Sequence, residues 1–195
     1  MRLYYAAYMA EIETPRLRLR PWIDDDFERL AAMCSDPRVM EFFPSIFSRE
    51  ETEALWKRIH EHFARYGFGP WAMEVEGKCA GLLGLNWVPF ETHFTPCVEI
   101  GYRLRTEFWG RGLATEAGQA ALQYGFECLD LREIVAFTTL ANKRSRRVME
   151  KIGLVFSEEF DHPLIAQGHP LRRHVLYRTS RSAWEAGRPP KSPSP

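Results

Sequence analysis

The alternation of apolar and polar residues along the chain predicts where its strands and helices lie. Half-buried strands repeat with a period of two, and amphipathic helices repeat with a period of 3.6. Strand-like patterns cover Leu17–Pro21, Trp71–Val75, Cys79–Val88, Cys97–Leu104, Ile134–Thr139, Leu154–Phe160 and Arg173–Thr179. Helical patterns bounded by capping residues cover Phe27–Cys34, Ser48–Gly67, Leu113–Cys128 and Asn142–Ile152.

Local signals mark several of these boundaries. Ser48-Arg-Glu-Glu51 is a capping box that predicts the start of a helix. Asn142 is a favourable N-cap for the last long helix, and Gly153 is placed to end that helix. Glu76-Gly77-Lys78 is predicted to be the turn of a hairpin between two strands.

The order of the predicted elements indicates one mixed α/β domain. Strands dominate the first half, with two helices inserted, and the second half runs strand–helix–strand–helix–strand–strand. A chain of 195 residues is long enough for one domain with a substantial core. We place this domain at residues 13–184, between an N-terminal extension (1–12) and a proline-rich tail (185–195) predicted to be disordered. Met9 is predicted to be the native start.

Composition and charge argue against several classes of function. The formal net charge is +0, whereas nucleic-acid-binding domains usually carry a basic excess. The sequence holds no run of about 18 apolar residues, so no membrane span is predicted. The four cysteines form no C-x-x-C pair and the six histidines lack metal-ligand spacing, so no metal is expected. Widely spaced free thiols favour a reducing, cytoplasmic location.

The segment from Glu99 to Ala117 carries the strongest chemical signal. It is predicted to be a strand, a short loop with Gly110 and Gly112, and the start of a helix. Glycine lets a backbone approach a ligand, and the first turn of a helix offers unpaired N–H groups. Together they predict a cradle for a phosphate or pyrophosphate. The Walker A pattern is absent, and Thr115 replaces the third glycine of the dinucleotide fingerprint.

This loop belongs to a longer set of motifs. Trp109-Gly-Arg-Gly-Leu-Ala114 resembles the R/Q-x-x-G-x-G/A loop of the GNAT superfamily of acyl-CoA N-acyltransferases. The supporting motifs are Thr14-Pro-Arg-Leu-Arg-Leu-Arg-Pro21, Glu99-Ile-Gly-Tyr102, Asn142-Lys-Arg-Ser145 and Glu150-Lys-Ile-Gly-Leu154. Their order and spacing resemble the branch that includes the ribosomal-protein N-terminal acetyltransferases. The resemblance covers residues 13–184 and implies a GNAT fold, a mixed six- or seven-stranded sheet splayed in the middle, with acetyl-CoA in the splay.

The resemblance implies a role for each matching position. Tyr102, Arg103 and Leu104 would offer strand backbone to the pantetheine arm. Backbone N–H groups of the loop would wrap the pyrophosphate, from Trp109, Gly110, Arg111, Gly112, Leu113, Ala114 and Thr115. Asn142 would hydrogen-bond the cofactor. Simple helix capping is the alternative for Asn142 and for Ser145.

Glu99 is the candidate general base, because a partly buried carboxylate can have its pKa raised towards working pH. The alternative is a glutamate on the exposed face of its strand. Two positions depart from the family pattern: Trp109 replaces Gln or Arg at the start of the loop, and Met149 replaces a tyrosine that protonates the leaving thiolate in some relatives. Ser145 or water is therefore the candidate acid.

These assignments predict an acetyl-CoA-dependent N-acetyltransferase that acts by direct transfer in a ternary complex. The acceptor is a primary amine, either a protein N-terminus or a small molecule, and fold-level analogy cannot choose between them. A homodimer is compatible with the family. The alternative is a non-catalytic acyl-CoA-binding module, for which the Met149 substitution is the main argument.

Overall fold

The computed structural model describes residues 11–187. The strands in this part of the chain are β1 (Ile12–Glu13), β2 (Arg18–Arg20), β3 (Pro70–Val75), β4 (Lys78–Trp87), β5 (Val98–Leu104), β6 (Glu133–Thr139), β7 (Val155–Asp161) and β8 (Arg173–Ser180). The helices are α1 (Phe27–Ser35), α2 (Arg49–Tyr66), α3 (Leu113–Glu127), α4 (Lys143–Lys151) and α5 (Arg181–Ala186). None of these helices combines the length and the apolar character needed to cross a membrane.

The eight described strands form one mixed sheet in the order β1-β2-β3-β4-β5-β6-β8-β7. Neighbouring strands are antiparallel except for β5 and β6, which are parallel. The register of this parallel pair consists of Glu99 opposite Val135, whereas β4 follows β5 along its whole length. The sheet therefore opens beyond Glu99, and the splay predicted from the family resemblance is present. We call this opening between β5 and β6 the cleft.

The sheet has one strand more than the sequence pattern predicts. Ile12 and Glu13 pair with Leu19 and Arg18, and two residues are too few to produce a recognisable period. The sheet therefore begins at Ile12, which belongs to the predicted N-terminal extension (residues 1–12). Residues 1–10 of that extension, including Met9, lie outside the described residues.

The hairpin between β3 and β4 has a two-residue turn. Glu76 and Gly77 both have positive φ angles, 52° and 73°, as a type I′ turn requires. Lys78, which the sequence analysis placed in the turn, is instead the first residue of β4.

The predicted caps hold the long helices. Ser48 and Glu51 form the reciprocal capping box of α2, which ends at Gly67 with a φ of 75°. Helix α5 was not predicted, because it follows β8 without a break and is only six residues long. Its last residues, Glu185 and Ala186, lie beyond the predicted domain end at 184, and the tail after Gly187 lies outside the described residues.

Small residues bring α3 close to its neighbours. A Cβ at Gly118 would lie 3.1 Å from the side chain of Ile152, and one at Gly125 would lie 2.7 Å from Ile134. Ala117 and Ala121 are fully buried in the main core. This close packing against the sheet and the end of α4 fixes the start of α3 beside the cleft.

Candidate active site

The cleft leads into a cavity of about 720 Å³. One part of its wall comes from β5, the loop before α3, α3 itself and α4, with Tyr102, Leu104, Trp109, Gly110, Ala114, Asn142, Ser145 and Met149. Another part comes from the segment after α1, from α2 and from the β7–β8 region, with Val39, Phe42, Phe43, Leu55, Arg58, His62, His162 and His174. Glu99 and Arg103 also line the cavity.

The backbone of β5 alternates between two directions. The N–H of Arg105 donates to the carbonyl of Ala80 at 2.9 Å, so Arg103 in the same register faces β4. Tyr102 and Leu104 therefore direct their backbone groups into the cleft, as predicted for a ligand that runs along the strand. The backbone of Arg103 faces β4 and not the cleft, so the backbone contact with the pantetheine arm predicted for this residue is wrong. The role of its side chain is a separate question.

The loop of residues 109–112, which we call the glycine loop, forms an open cradle. Gly110 and Gly112 have φ angles of 74° and 77°. No described atom lies within 4 Å of a Cβ placed on Gly110, so space remains directly above the backbone. Leu113 and Ala114 open α3, and the N–H groups of a first helical turn lack partners within the helix. These features fit a phosphate-bearing ligand such as CoA.

The other predicted loop residues contribute in different ways. The side chain of Leu113 is buried in the core, and the N–H of Thr115 donates to the carbonyl of Gly112 at 3.1 Å. Arg111 turns outward and pairs with Glu76 at 2.7 Å. A phosphate can therefore contact these residues only through the backbone of Arg111, Gly112 and Leu113. The N–H of Thr115 is not available, because it already donates to the carbonyl of Gly112.

Arg16 supports the glycine loop and was given no role by the sequence analysis. Its Nη1 donates to the carbonyl of Arg111 at 2.7 Å, and its Nε pairs with Glu116 at 2.5 Å. Arg16 lies within the Thr14–Pro21 motif, which was noted only for its resemblance. That motif thus ties the start of the sheet to the loop and to the first turn of α3.

Indole and amide groups fix the walls of the cleft. Nε1 of Trp109 donates to the carbonyl of Leu104 at 2.8 Å, and the guanidinium of Arg144 lies 4.5 Å from the Trp109 ring. Oδ1 of Asn142 accepts from the N–H of Ser145 at 3.1 Å, and its Nδ2 donates to Oγ1 of Thr138 at 3.0 Å. Asn142 therefore caps α4, and it also lines the cavity.

Tyr102 and Ser145 form a hydroxyl pair on the cleft wall. The phenolic oxygen lies 2.9 Å from Oγ of Ser145 and donates to its backbone carbonyl at 2.8 Å. Burial raises the pKa of Tyr102, so the phenol is protonated at neutral pH. Met149, which stands at the tyrosine position of some relatives, is buried and offers no proton.

Glu99 lines the cavity at the point where β5 and β6 last pair. It lies opposite Asn86 on β4 and is half-buried, so the exposed-face alternative is not what the structure has. Burial raises the pKa of its carboxyl from 4.5 to about 7. A carboxylate with a pKa near neutrality suits the removal of a proton from a nucleophile.

Several aromatic side chains lie near the cleft. Phe42, Phe43 and Trp87 line the cavity. Trp22 instead packs in the core, where its indole N–H donates to the carbonyl of Pro70. Phe90 packs against Phe137 and His162.

Three histidines line the cavity and were not predicted to do so. Nε2 of His62 accepts from the N–H of Trp87 at 3.1 Å. Burial lowers the pKa of His62 and His174, and burial with the neighbouring His174 lowers that of His162 to about 4. They come from separate segments, so no local pattern could reveal them. Residues 11–187 hold no group of three histidine, cysteine or acidic side chains placed to bind a metal.

Comparison with known proteins agrees with this geometry. The acetyltransferase (GNAT) domain family matches residues 16–155. FsC-acetyl coenzyme A-N(2)-transacetylase of Aspergillus fumigatus is 31% identical over 188 residues, covering 89% of this chain and 77% of that protein. The putative ribosomal N-acetyltransferase YdaF of Bacillus subtilis is 34% identical over 89 residues, covering 45% and 47% of the two chains. A solved GNAT-family acetyltransferase from Bacillus anthracis has 27% identity and a TM-score of 0.73, covering 89% of this chain and 99% of that one.

A splayed sheet, an open glycine loop at the start of α3 and a cavity carboxyl with a raised pKa fit an acyltransferase. The chain belongs to the GNAT family, since the family match spans well over half of its length. It is an N-acetyltransferase, and its family uses acetyl-CoA. The family, the fold class and the enzyme class predicted from the sequence are thereby confirmed.

Proposed function

We propose that the protein transfers the acetyl group of acetyl-CoA directly to a primary amine, with both substrates bound together. The amine belongs to a protein N-terminus or to a small molecule. The observation that carries this proposal is Glu99, a carboxylate with a pKa of about 7 on the cavity wall where the cleft begins. Such a group accepts a proton from an amine at neutral pH.

The chain offers the groups that acetyl-CoA requires. The pyrophosphate is proposed to lie on the glycine loop and the first turn of α3, where backbone N–H groups and the helix dipole favour negative charge. The backbone of Tyr102 and Leu104 faces the cleft and can bind the pantetheine arm as a neighbouring strand would. The co-substrate supplies an acetyl group activated as a thioester.

The protein groups then divide the proton transfers. Glu99, through a water molecule, accepts the proton lost by the amine as its nitrogen bonds to the acetyl carbon. The N–H of Leu104 donates to the acetyl oxygen as negative charge develops there. Ser145 or a water molecule donates a proton to the sulfur as the carbon–sulfur bond breaks, and the proton that Glu99 took from the amine then returns through water to the group that donated it. The Tyr102 hydroxyl lies 2.9 Å from Oγ of Ser145 and holds this serine in position.

Replacement of Glu99 tests the assignment of the base. Glu99→Gln is expected to lower kcat by about 10²–10³-fold, because general bases contribute on this scale, while calorimetry finds acetyl-CoA binding unchanged. Glu91→Gln, an exposed glutamate in the loop before β5, is the matched control and should keep the wild-type kcat. Unchanged turnover of the Glu99 variant at every pH would remove Glu99 from the mechanism.

The acceptor is sought with acetyl-CoA labelled in its acetyl group, the purified protein and an extract of its host. Label on a polypeptide N-terminus indicates a protein acetyltransferase, and label on a small amine indicates a metabolic enzyme. Label in neither fraction, with acetyl-CoA still bound, supports the non-catalytic binding module instead. The cytoplasmic location and the homodimer stay predictions.

A further inference from the structure

Arg103 is a charged side chain in the cavity that the proposed transfer does not use. Its Nη1 contacts Sγ of Cys34 at 3.1 Å, and its guanidinium lies 4.1 Å from the ring of Phe43 and 5.5 Å from that of Phe47. Its Nε is buried without a hydrogen-bond partner in the described chain. Among residues 11–187, no carboxylate forms an ion pair with it.

This environment leaves a buried positive charge uncompensated. Burial raises the pKa of the Cys34 thiol, so the thiol is neutral and does not balance the arginine. Two aromatic rings favour a guanidinium through their π faces, yet they supply no acceptor for its N–H groups. A buried cation without an anion is costly, and a guanidinium presents a planar fork that matches a carboxylate. The missing partner is therefore an anion.

The floor of the cavity between Arg103 and Glu99 is open. Both residues share one face of β5 with Gly101, because side chains alternate along a strand. No described atom lies within 4 Å of a Cβ placed on Gly101. Four residue steps along the strand separate the two Cα atoms by about 13 Å. A ligand can thus extend across Gly101, with one end near the base and the other near the guanidinium.

Apart from Glu99, the other charged side chains of the cavity have the same sign as Arg103. Among the described residues that line it, Glu99 is the one carboxylate, whereas Arg38, Arg58 and Arg144 are further cations. Arg38 pairs with Asp36, Arg144 pairs with Glu41 and Arg58 is exposed, so Arg103 is the buried cation among them. A polycationic acceptor is therefore poorly matched to this cavity, and an acceptor with negative charge is well matched.

We propose that the acceptor is a primary amine that also carries a carboxylate several bonds from its nitrogen. The guanidinium of Arg103 binds the carboxylate, and the amine lies towards Glu99. This inference rests on the proposed function and names its substrate class. The carboxylate belongs either to a small amino acid or to an acidic side chain near a peptide N-terminus, and the same guanidinium chemistry serves both.

The test compares carboxylates with neutral molecules of the same shape. The small-molecule probes are 4-aminobutyrate, 6-aminohexanoate and 8-aminooctanoate, each against its primary amide, with spermidine as a polycation. The peptide probes are Ala-Glu and Ala-Gln with amidated C-termini. Thiol release from acetyl-CoA gives kcat/KM, and calorimetry on the CoA-loaded protein gives Kd without requiring turnover.

The wild-type protein is expected to prefer at least one carboxylate over its amide by tenfold or more, since a guanidinium–carboxylate pair is bidentate and charge-assisted. Arg103→Met should reduce this ratio to about one. Arg103→Lys keeps the charge without the fork and should give an intermediate ratio. Arg132→Met changes an exposed arginine before β6 that does not line the cavity, and it should leave the ratio as in the wild type.

The two measurements separate this inference from the proposed transfer. An Arg103-dependent preference for carboxylates in binding supports the anion site whether or not the probes are turned over, and the transfer is contradicted only if no amine of the host extract receives label. Turnover that favours amides or spermidine in the wild type overturns the anion site and leaves the transfer intact. An equal loss for both members of each pair in Arg103→Met also overturns it, because the arginine then has only a structural role.

Discussion

Glu99 forms no ion pair with another described residue, and burial raises the pKa of its carboxyl from 4.5 to about 7. The folded protein therefore holds the Glu99 proton over a pH range in which the unfolded chain releases it. By linkage, the stability that depends on this group is fully present below pH 4.5 and decreases as the pH rises to about 7. The property that makes Glu99 a useful base thus destabilises the fold at working pH.

Substitution of Glu99 should consequently stabilise the protein in a pH-dependent way. Glu99→Gln is expected to raise the free energy of unfolding by roughly 1–3 kcal/mol at pH 8, because glutamine avoids burying a charge. Near pH 4.5, where the folded protein holds the carboxyl protonated and the unfolded chain holds it half protonated, the difference should be small. Urea denaturation of both proteins at the two pH values measures it. An equal effect at both pH values would show that the carboxyl is not perturbed.

At the scale of elements, Gly110 of the glycine loop has two properties that favour glycine, a left-handed backbone and open space towards the cavity. Substitutions can test the two properties separately. Gly110 adopts a left-handed conformation, and it also leaves open space above the backbone at the cavity wall. Gly67, which ends α2, has nearly the same φ angle of 75° and equally open surroundings, but it does not line the cavity. The backbone strain of an added Cβ is therefore the same at both positions.

Alanine at each position distinguishes strain from ligand contact. Gly110→Ala and Gly67→Ala should each lower the free energy of unfolding by about 1 kcal/mol, the usual cost of a left-handed non-glycine residue. Only Gly110→Ala should weaken acetyl-CoA binding, by tenfold or more, because its methyl group occupies space above the cradle. Calorimetric titration and thermal unfolding give the two quantities. Equal affinities for the two variants would place the co-substrate elsewhere.

Motifs of neighbouring residues correctly predicted the capped helices. They failed for features that depend on residues far away in the sequence. Ser48 and Glu51 identified the start of α2, because a capping box involves only neighbouring residues. Strand β1 and helix α5 were not predicted, since both are short and depend on the sheet beside them. The predicted backbone role of Arg103 was wrong because alternation along β5 depends on its pairing with β4. The cavity histidines could not be predicted from spacing, because tertiary structure brings them together.

At the scale of the whole molecule, titratable side chains of the cavity make the stability of the fold depend on pH. His62, His162 and His174 come from α2, the β7–β8 region and β8, and burial lowers the pKa of each. At these three histidines the folded protein thus binds fewer protons than the unfolded chain below pH 6.5. The stability that these neutral rings provide is present above pH 6.5 and is lost as the pH falls. Glu99 acts in the opposite direction between about pH 7 and 4.5, so the histidines and the glutamate partly offset each other.

His162 offers the sharpest test of this coupling, because its pKa lies at about 4 through burial and the nearby His174. Between pH 7.5 and pH 5 the wild-type protein should lose about 1–2 kcal/mol of stability from this residue alone. His162→Asn removes the titrating group, so its stability should fall by that much less over the same interval. His60→Asn, an exposed histidine on α2, should follow the wild type. Urea denaturation of both proteins at the two pH values measures these losses. If His162→Asn and the wild type lose the same stability between pH 7.5 and pH 5, the coupling is contradicted, because the pKa of His162 would then be the same in the folded and unfolded states.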